Sequence, residues 1–468
     1  MPNIKYTVTN YNCPIYPLVL VLQMLKDDFY SVYGRPYYDQ DYFCIYRKDL
    51  NNTFILDDLA ERNAPHFVKL AKDKKYLTKV TRNIKKYAKE LLQFSDSFKS
   101  KDFDKLSDQQ LLRLYQDFNY KYRQLYVWGW LPLVVDAHNE YFSSLVIKNF
   151  KQFLSRFAGQ KKINKFAEYF FVLSSFPEMT DREQAAIDLL KLDKEKYLFK
   201  YGWLTFNWWG PVYSQADYKT DLKNVAKNQP DKHKAKNLKV QQKQIINELK
   251  LSKKLIQEFE ALSKLLYLKD YRKNIIYQAN YNISFLLKEI AKRFKYPVKL
   301  LHYVLPKEMQ DVFVKQISKA ELEKRYKLSV LRCGVDELEL FTGVKAKQIA
   351  DKFLKSKIKI NNAFPLQGQI ASPGKAKGKV KIVNNTKDIS KVKNGDILVS
   401  VKTDPTLLPA MKKASAVVTE VGGITSHAAI VARELKVPCV IGVHNVSSIL
   451  KDDQIIIVDA ELGIIKKI

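Results

Sequence analysis

Thr419-Glu420-Val421-Gly422-Gly423-Ile424-Thr425-Ser426-His427-Ala428-Ala429-Ile430-Val431-Ala432-Arg433-Glu434 is the stretch that decides how the rest of this chain is read. A β-branched run ends at Thr419 and two glycines follow. From Thr425 to Lys436 the residues are good helix formers, halted by Val437-Pro438. Strand, tight turn and helix are therefore expected in succession, with His427 in the first helical turn. Free N–H groups and the positive end of the macrodipole make a helix start a good seat for phosphate oxygens. Thr425 and Ser426 add hydroxyls beside the ring, and the same positive end disfavours the imidazolium form. Small Ala428 and Ala429 leave the histidine open to a large partner.

Outward from this stretch, short β-branched segments recur between turn residues. Gly378 to Val383, Asp396 to Val401, Ser415 to Thr419, Pro438 to Ile441 and Gln454 to Val458 are each expected to be strands. A change of composition marks where this region begins. All 58 aromatic residues lie at or before Phe364, whereas eight of the 15 glycines fall from Gly368 onward. Two differently built parts are expected to meet near Pro365: a mainly helical region over 1–354, a hinge over 355–364, and a compact α/β domain over 365–468.

The first part has few glycines, many lysines and apolar residues at helical spacing. Tyr76 to Phe94, Ser107 to Tyr126, Ile163 to Phe176, Gln242 to Leu268 and Asn282 to Phe294 all read as amphipathic helices. Near the start, Tyr42 to Arg47 and Thr53 to Leu56 flank the turn formers Lys48 to Asn52, which predicts a β-hairpin. The aromatic segment Tyr201 to Pro211, with Trp203, Trp208 and Trp209, has two readings: core packing or the lining of an acceptor pocket.

With 46% hydrophobic residues the chain is not disordered as a whole. Its formal net charge of +31 favours polyanions without choosing among them. Cys13, Cys44, Cys333 and Cys439 form no CxxC pair, so neither a disulfide framework nor a zinc knuckle is expected. The apolar run from Leu18 to Leu25 is too short to span a bilayer, and a cytoplasmic protein without a membrane segment follows as the expectation. His66, His138, His233, His302 and His444 have no neighbours at metal-ligand spacing, so no metal site is predicted. No GxxxxGK[ST] or GxGxxG loop is present. The lysine-rich stretch from Lys219 to Lys254 reads as a solvated face, and nucleic acid is not expected as a partner, because no RRM, KH or helix-turn-helix signature accompanies it.

The quoted string resembles the phosphohistidine signature of the swivelling, or mobile, domain in phosphoenolpyruvate-utilising enzymes such as phosphoenolpyruvate synthase, pyruvate phosphate dikinase and rifampicin phosphotransferase. Gly368-Gln369-Ile370-Ala371-Ser372-Pro373-Gly374 resembles that domain's opening, and Asp396 to Val399 with Thr403-Asp404-Pro405 its second strand and loop. The likeness covers 365–468 and implies a β/β/α swivelling fold. It implies that His427 accepts the phosphoryl group, that Thr425 and Ser426 support the phosphate, and that Gly422, Gly423 and Arg433 shape the turn and anion site. Glu420-Val421 stands where dikinases carry Asp-Arg, closer to rifampicin phosphotransferase, which makes pyruvate less secure as acceptor.

The same resemblance implies that ATP and Mg²⁺ act on a separate ATP-grasp partner, because the glycine-poor helical region does not read as a nucleotide domain and this chain alone is expected to bind neither. A pyruvate or phosphoenolpyruvate barrel protein, or a small molecule, would then receive the phosphoryl group. Three functions remain open: a phosphoenolpyruvate synthase-like phosphotransferase subunit, a phosphotransferase with its small-molecule acceptor in the helical region, and a non-catalytic basic scaffold associated with RNA.

Overall fold

A computed structural model describes the chain except residues 1–5, 12–13, 35–41, 49, 136–140, 158, 160–161, 163–164, 207, 209, 228–232, 335–337, 356–363, 385, 404–406, 424–425, 444 and 468. The chain divides into two compact units, 1–158 with 172–353, and 159–171 with 354–468. The expected hinge, 355–364, lies almost wholly outside the described residues.

The first unit is mainly helical. Helix α1 (Lys74–Asp96) buries Leu77, Val80, Ile84, Ala88, Leu91 and Ser95, a three-and-four spacing that forms one stripe. Asp73 caps it by accepting from the N–H groups of Lys75 and Tyr76. Helix α2 (Asp108–Trp128) opens on a capping box in which Ser107 and Gln110 satisfy one another's backbone N–H groups. It buries Leu111, Tyr115, Phe118, Tyr122 and Leu125. The apolar pattern expected as one helix from Gln242 to Leu268 is instead divided between α3 (Lys234–Leu249) and α4 (Lys253–Phe294). Lys250, at φ +51, turns the backbone out of the first helix, and Ser252 caps the second through the Leu255 N–H. No glycine or proline announces that break. Asn282 to Phe294 is the end of α4, not a helix of its own.

A five-stranded antiparallel sheet completes this unit, in the order β1 (Tyr6–Tyr11), β3 (Leu50–Leu56), β2 (Tyr42–Arg47), β4 (Ser329–Cys333), β5 (Leu338–Thr342). The hairpin is tighter than composition predicts. Arg47 pairs with Leu50, so Leu50 to Asn52 belong to a strand and not to the turn. Helices α5 (Lys319–Lys327) and α6 (Gly343–Lys355) lie before β4 and after β5 in the chain.

The second unit is built on eight strands in the order β6 (Leu366–Gln367), β13 (Ile464–Lys467), β12 (Ile455–Asp459), β8 (Lys375–Ile382), β9 (Ile397–Ser400), β10 (Ala416–Thr419), β11 (Cys439–Ile441), β7 (Gln369–Ser372). Neighbours from β8 through β11 are parallel and the flanking pairs antiparallel. Central strands β9 and β10 are buried along their whole length, as expected where both faces are covered. Leu398 and Val417 enter one core with Ala428, Ala429 and Ala432 of helix α7 (His427–Glu434). Ile397, Val399, Ala416 and Val418 enter a second core with Val446, Ile456 and Val458. Each buried Val, Leu or Ile contributes about 1.5–3 kcal/mol by leaving water. The alternation fixes which way both strand ends face.

Candidate functional site

The carboxyl ends of neighbouring parallel strands are where an open α/β sheet leaves a crevice. Here β9 runs out into Val401-Lys402-Thr403, and β10, its parallel neighbour, into Glu420 to Gly423. The backbone N–H groups of Glu420 and Val421 still bond the carbonyls of Ser400 and Val401, at 2.9 and 2.8 Å, so the two exits are tied together. Asn384 adds a support, its side-chain oxygen accepting from the Val401 N–H at 2.8 Å. On the other exit, Ser447 donates its hydroxyl to the Glu420 carboxylate.

Gly422 carries the chain through φ +132, a backbone conformation that side chains other than glycine's rarely adopt. A Cβ there would also meet Ser426 Cβ and Oγ at 3.1 Å. The tight turn then closes through the Ser426 N–H, which donates to the Gly423 carbonyl at 2.8 Å. Ser426 is the N-cap of α7, its hydroxyl oxygen accepting from the Ala429 N–H at 3.4 Å. Its O–H can still donate outward. His427 is the first residue of the helix proper and half-buried.

The imidazole is oriented by a residue that composition and spacing did not single out. Thr403 Oγ1 lies 2.9 Å from His427 Nδ1. When Nδ1–H is the donor and the threonine oxygen the acceptor, the ring's lone pair sits on Nε2. With that tautomer the site offers Nε2 as a nucleophilic nitrogen beside a helix start, a pairing suited to accepting a phosphoryl group. Thr403 lies 24 positions upstream of His427, so only knowledge that β9 and β10 are parallel neighbours brings the two together. The Thr403-Asp404-Pro405 motif was the available signal.

The residues expected to act together are partly gathered. Gly422 and Gly423 lie in the turn after β10, and Ser426 and His427 at the start of α7. Thr425, expected to support the phosphate, lies outside the described residues. Arg433 sits six residues along α7, about 9 Å of helix rise from His427. Its Nε donates to the Ala371 carbonyl of β7 at 2.8 Å. The guanidinium therefore ties helix to sheet and is not gathered into the turn beside the histidine. Burial pulls its pKa below the usual arginine value, and pushes the nearby Cys439 thiol up to about 12.

Of the aromatic residues proposed for an acceptor pocket, Trp203 is only 2% exposed and packs in a core with Tyr197, Tyr201, Phe206, Tyr213 and Tyr281. That is the packing reading of this segment, and it leaves the indole little surface for a ligand. Trp208 is half-buried, and Trp209 lies outside the described residues. Among the described residues no three His, Cys, Asp or Glu side chains gather as a metal site would require. Nor is any described helix long and apolar enough to cross a membrane. Burial in the first unit pushes the His302 pKa down to about 4, as for a histidine kept neutral in a core.

Residues 392–463 match the family described as PEP-utilising enzyme, mobile domain. A probable phosphoenolpyruvate synthase of Archaeoglobus fulgidus is 54% identical over 100 residues, which are 21% of this chain and 13% of that protein. A probable phosphoenolpyruvate synthase of Methanothermobacter thermautotrophicus is 47% identical over 100 residues, 21% of this chain and 15% of that one. Phosphoenolpyruvate synthase of Pyrococcus furiosus is 48% identical over 102 residues, 22% of this chain and 12% of that one. The matches thus span less than one sixth of these relatives' length. Among solved structures, holo aconitase X of Thermococcus kodakaraensis is 21% identical, with 23% of this chain and 99% of that chain covered at a TM-score of 0.19.

Proposed function

Because the C-terminal unit carries the mobile domain of the PEP-utilising enzymes, we propose that this chain is a phosphotransferase component that carries a phosphoryl group on His427 Nε2. The observation that supports the reading most directly is the 2.9 Å contact between Thr403 Oγ1 and His427 Nδ1. With Nδ1–H donating to the threonine oxygen, this contact supports Nε2 as the nitrogen that reacts. As Nε2 attacks in line, an N–P bond forms while the donor's bridging P–O bond breaks and its oxygen leaves with the electron pair. The positive charge gained by the ring is borne at Nδ1–H, against the threonine oxygen. The Ser426 hydroxyl and the free N–H groups at the start of α7 then donate to the phosphoryl oxygens.

In this proposal the donor is ATP on a separate ATP-grasp protein that would also hold Mg²⁺: attack at the β-phosphorus releases AMP and leaves a pyrophosphoryl group on the ring, and water then cleaves the β–γ anhydride, releasing phosphate and leaving the β-phosphoryl group on Nε2. One ring cannot lie in line with donor and acceptor together, so the acceptor occupies a second station. It is a small molecule or a partner protein of the phosphoenolpyruvate synthase type. The test is to incubate the full chain with β-labelled ATP, Mg²⁺ and an ATP-grasp partner, then look for acid-labile, alkali-stable label. Wild type is expected to take label and His427→Ala none. Equal label on both, or none on wild type beside a partner proved active, refutes the assignment.

A further inference from the structure

Strand β9 runs Ile397-Leu398-Val399-Ser400, three aliphatic residues and then a hydroxyl. Ser400 is 0% exposed, so that hydroxyl has to find its acceptor inside the protein. Two oxygens are in reach: the Lys402 carbonyl at 2.8 Å and Asn384 Oδ1 at 3.3 Å. The single proton goes mainly to the nearer one, the carbonyl two residues on. Such a local bond competes with the strand ladder and bends the chain away from it, and β9 does end at Ser400. Thr419, at the same level of β10, is equally buried, yet its hydroxyl has no hydrogen-bond partner among the described residues. Burial at a strand end therefore does not by itself create this tie.

What the tie fixes is the next residue. The Lys402 carbonyl and the Thr403 N–H belong to one planar peptide unit, so holding the carbonyl sets the direction in which the chain reaches the Thr403 Cα. Thr403 Oγ1 then lies 2.9 Å from His427 Nδ1. Other bonds hold the loop one residue further back: the Val401 N–H donates to Asn384 Oδ1, and the Val401 carbonyl accepts from the Val421 N–H, each at 2.8 Å. Asn384 is exposed, so its bond competes with water, whereas the bond from Ser400 is shielded. We infer that Ser400 is a positioning residue for the chemistry at His427: its buried hydroxyl sets the Lys402–Thr403 peptide and through it holds the threonine oxygen against the ring. Ser400 acts only through Thr403. The inference rests on the phosphohistidine reading for the reaction it serves, and on the geometry alone for the placement of the ring's partner.

The full chain carrying nitrogen-labelled histidine shows only six imidazoles, and His427→Ala identifies which signals belong to His427. In alkaline buffer a histidine ring is neutral, and its two nitrogen shifts report which one carries the proton. Wild type is expected to show the proton on Nδ1, and Ser400→Ala a mixture of both tautomers. Thr419→Val, which removes a buried hydroxyl from the neighbouring strand, is expected to match wild type. Unchanged signals from the other histidines check that each variant folds. Labelling of His427 by an ATP-grasp partner gives a second readout. Ser400→Ala is expected to slow it about tenfold, as for a group that orients a reactive imidazole. In the Thr403→Val chain the same change is expected to alter the rate by less than about twofold, because the two residues act as one unit. Unchanged His427 nitrogen shifts in Ser400→Ala, an equal change in Thr419→Val, or equal slowing by Ser400→Ala with and without the Thr403 hydroxyl overturns the proposal. The spectra need no phosphoryl donor, so they decide the role of Ser400 even where His427 takes no label and the phosphohistidine reading fails.

Discussion

At the scale of single residues, the proposed chemistry turns on Thr403. Its hydroxyl lies 2.9 Å from His427 Nδ1, and in the proposal it positions the imidazole and leaves Nε2 to attack. Thr403→Val keeps the shape and removes the oxygen, so the ring loses its hydrogen-bond partner and its tautomer is no longer selected. The expected outcome is a rate of histidine phosphorylation lower by about 10–100-fold, the usual cost of losing a partner that orients a reactive imidazole. Thr403→Ser restores the oxygen and is expected to recover most of the rate. Both are read by following label on His427 over time. If Thr403→Val labels as fast as wild type, the contact is structural only.

At the scale of elements, a cross-strand ion pair fastens the antiparallel edge next to the parallel strands. Asp459 of β12 faces Lys375 of β8 in register, with the carboxylate and ammonium 3.1 Å apart. Desolvation raises the Asp459 pKa, but the hydrogen bond from Lys375 and the N–H groups of Leu462 and Glu461 outweigh it and hold the carboxyl below its ordinary range. A depressed folded-state pKa means that the contribution is complete above the unfolded value of about 3.9 and is lost as pH falls through the folded one. Asp459→Asn is therefore expected to lower the urea midpoint at pH 7, with the gap to wild type closing as pH falls below about 4. A gap that stays constant across that range would show that the carboxylate's charge is not what holds the edge. The same edges explain what could be read from composition. Strands β9 and β10 were legible because burial on both faces writes them as unbroken apolar runs. The edge strands β6 and β7, and β13 next to β6, were not, since Gln367, Ile370 and Lys466 face solvent and their residues fit a loop equally well. The helix break at Lys250 escaped notice because the apolar stripe continues across it. His427 and its turn were legible because strand, glycines and helix are contiguous. Thr403 needed the parallel pairing of β9 with β10, a long-range fact that no local pattern contains.

At the scale of the whole molecule, the two units have separate cores with different chemistry. One is rich in tyrosine, phenylalanine and tryptophan around α4 and the neighbouring helices, the other aliphatic on both faces of a sheet. Chains with two cores commonly unfold in more than one step, and calorimetry is expected to resolve two transitions. Single substitutions then identify them. Gly422→Ala places a Cβ at φ +132 and 3.1 Å from Ser426, a strain of about 1–3 kcal/mol. In a domain of this size that lowers the midpoint by roughly 4–8 °C per kcal/mol. Ser252→Ala removes the cap of α4, worth about 1 kcal/mol. Its effect is smaller in degrees because the first unit is larger. Each variant is expected to move one transition and leave the other in place. A chain in which both variants shift a single common transition has its two cores coupled into one cooperative unit. The mobile-domain unit would then unfold only with the helical unit. Two independent transitions instead mean that the turn at Gly422 is stabilised by its own sheet alone. On that outcome Gly422→Ala is expected to lose labelling near its lowered midpoint and to regain it at lower temperature, whereas the loss in His427→Ala persists.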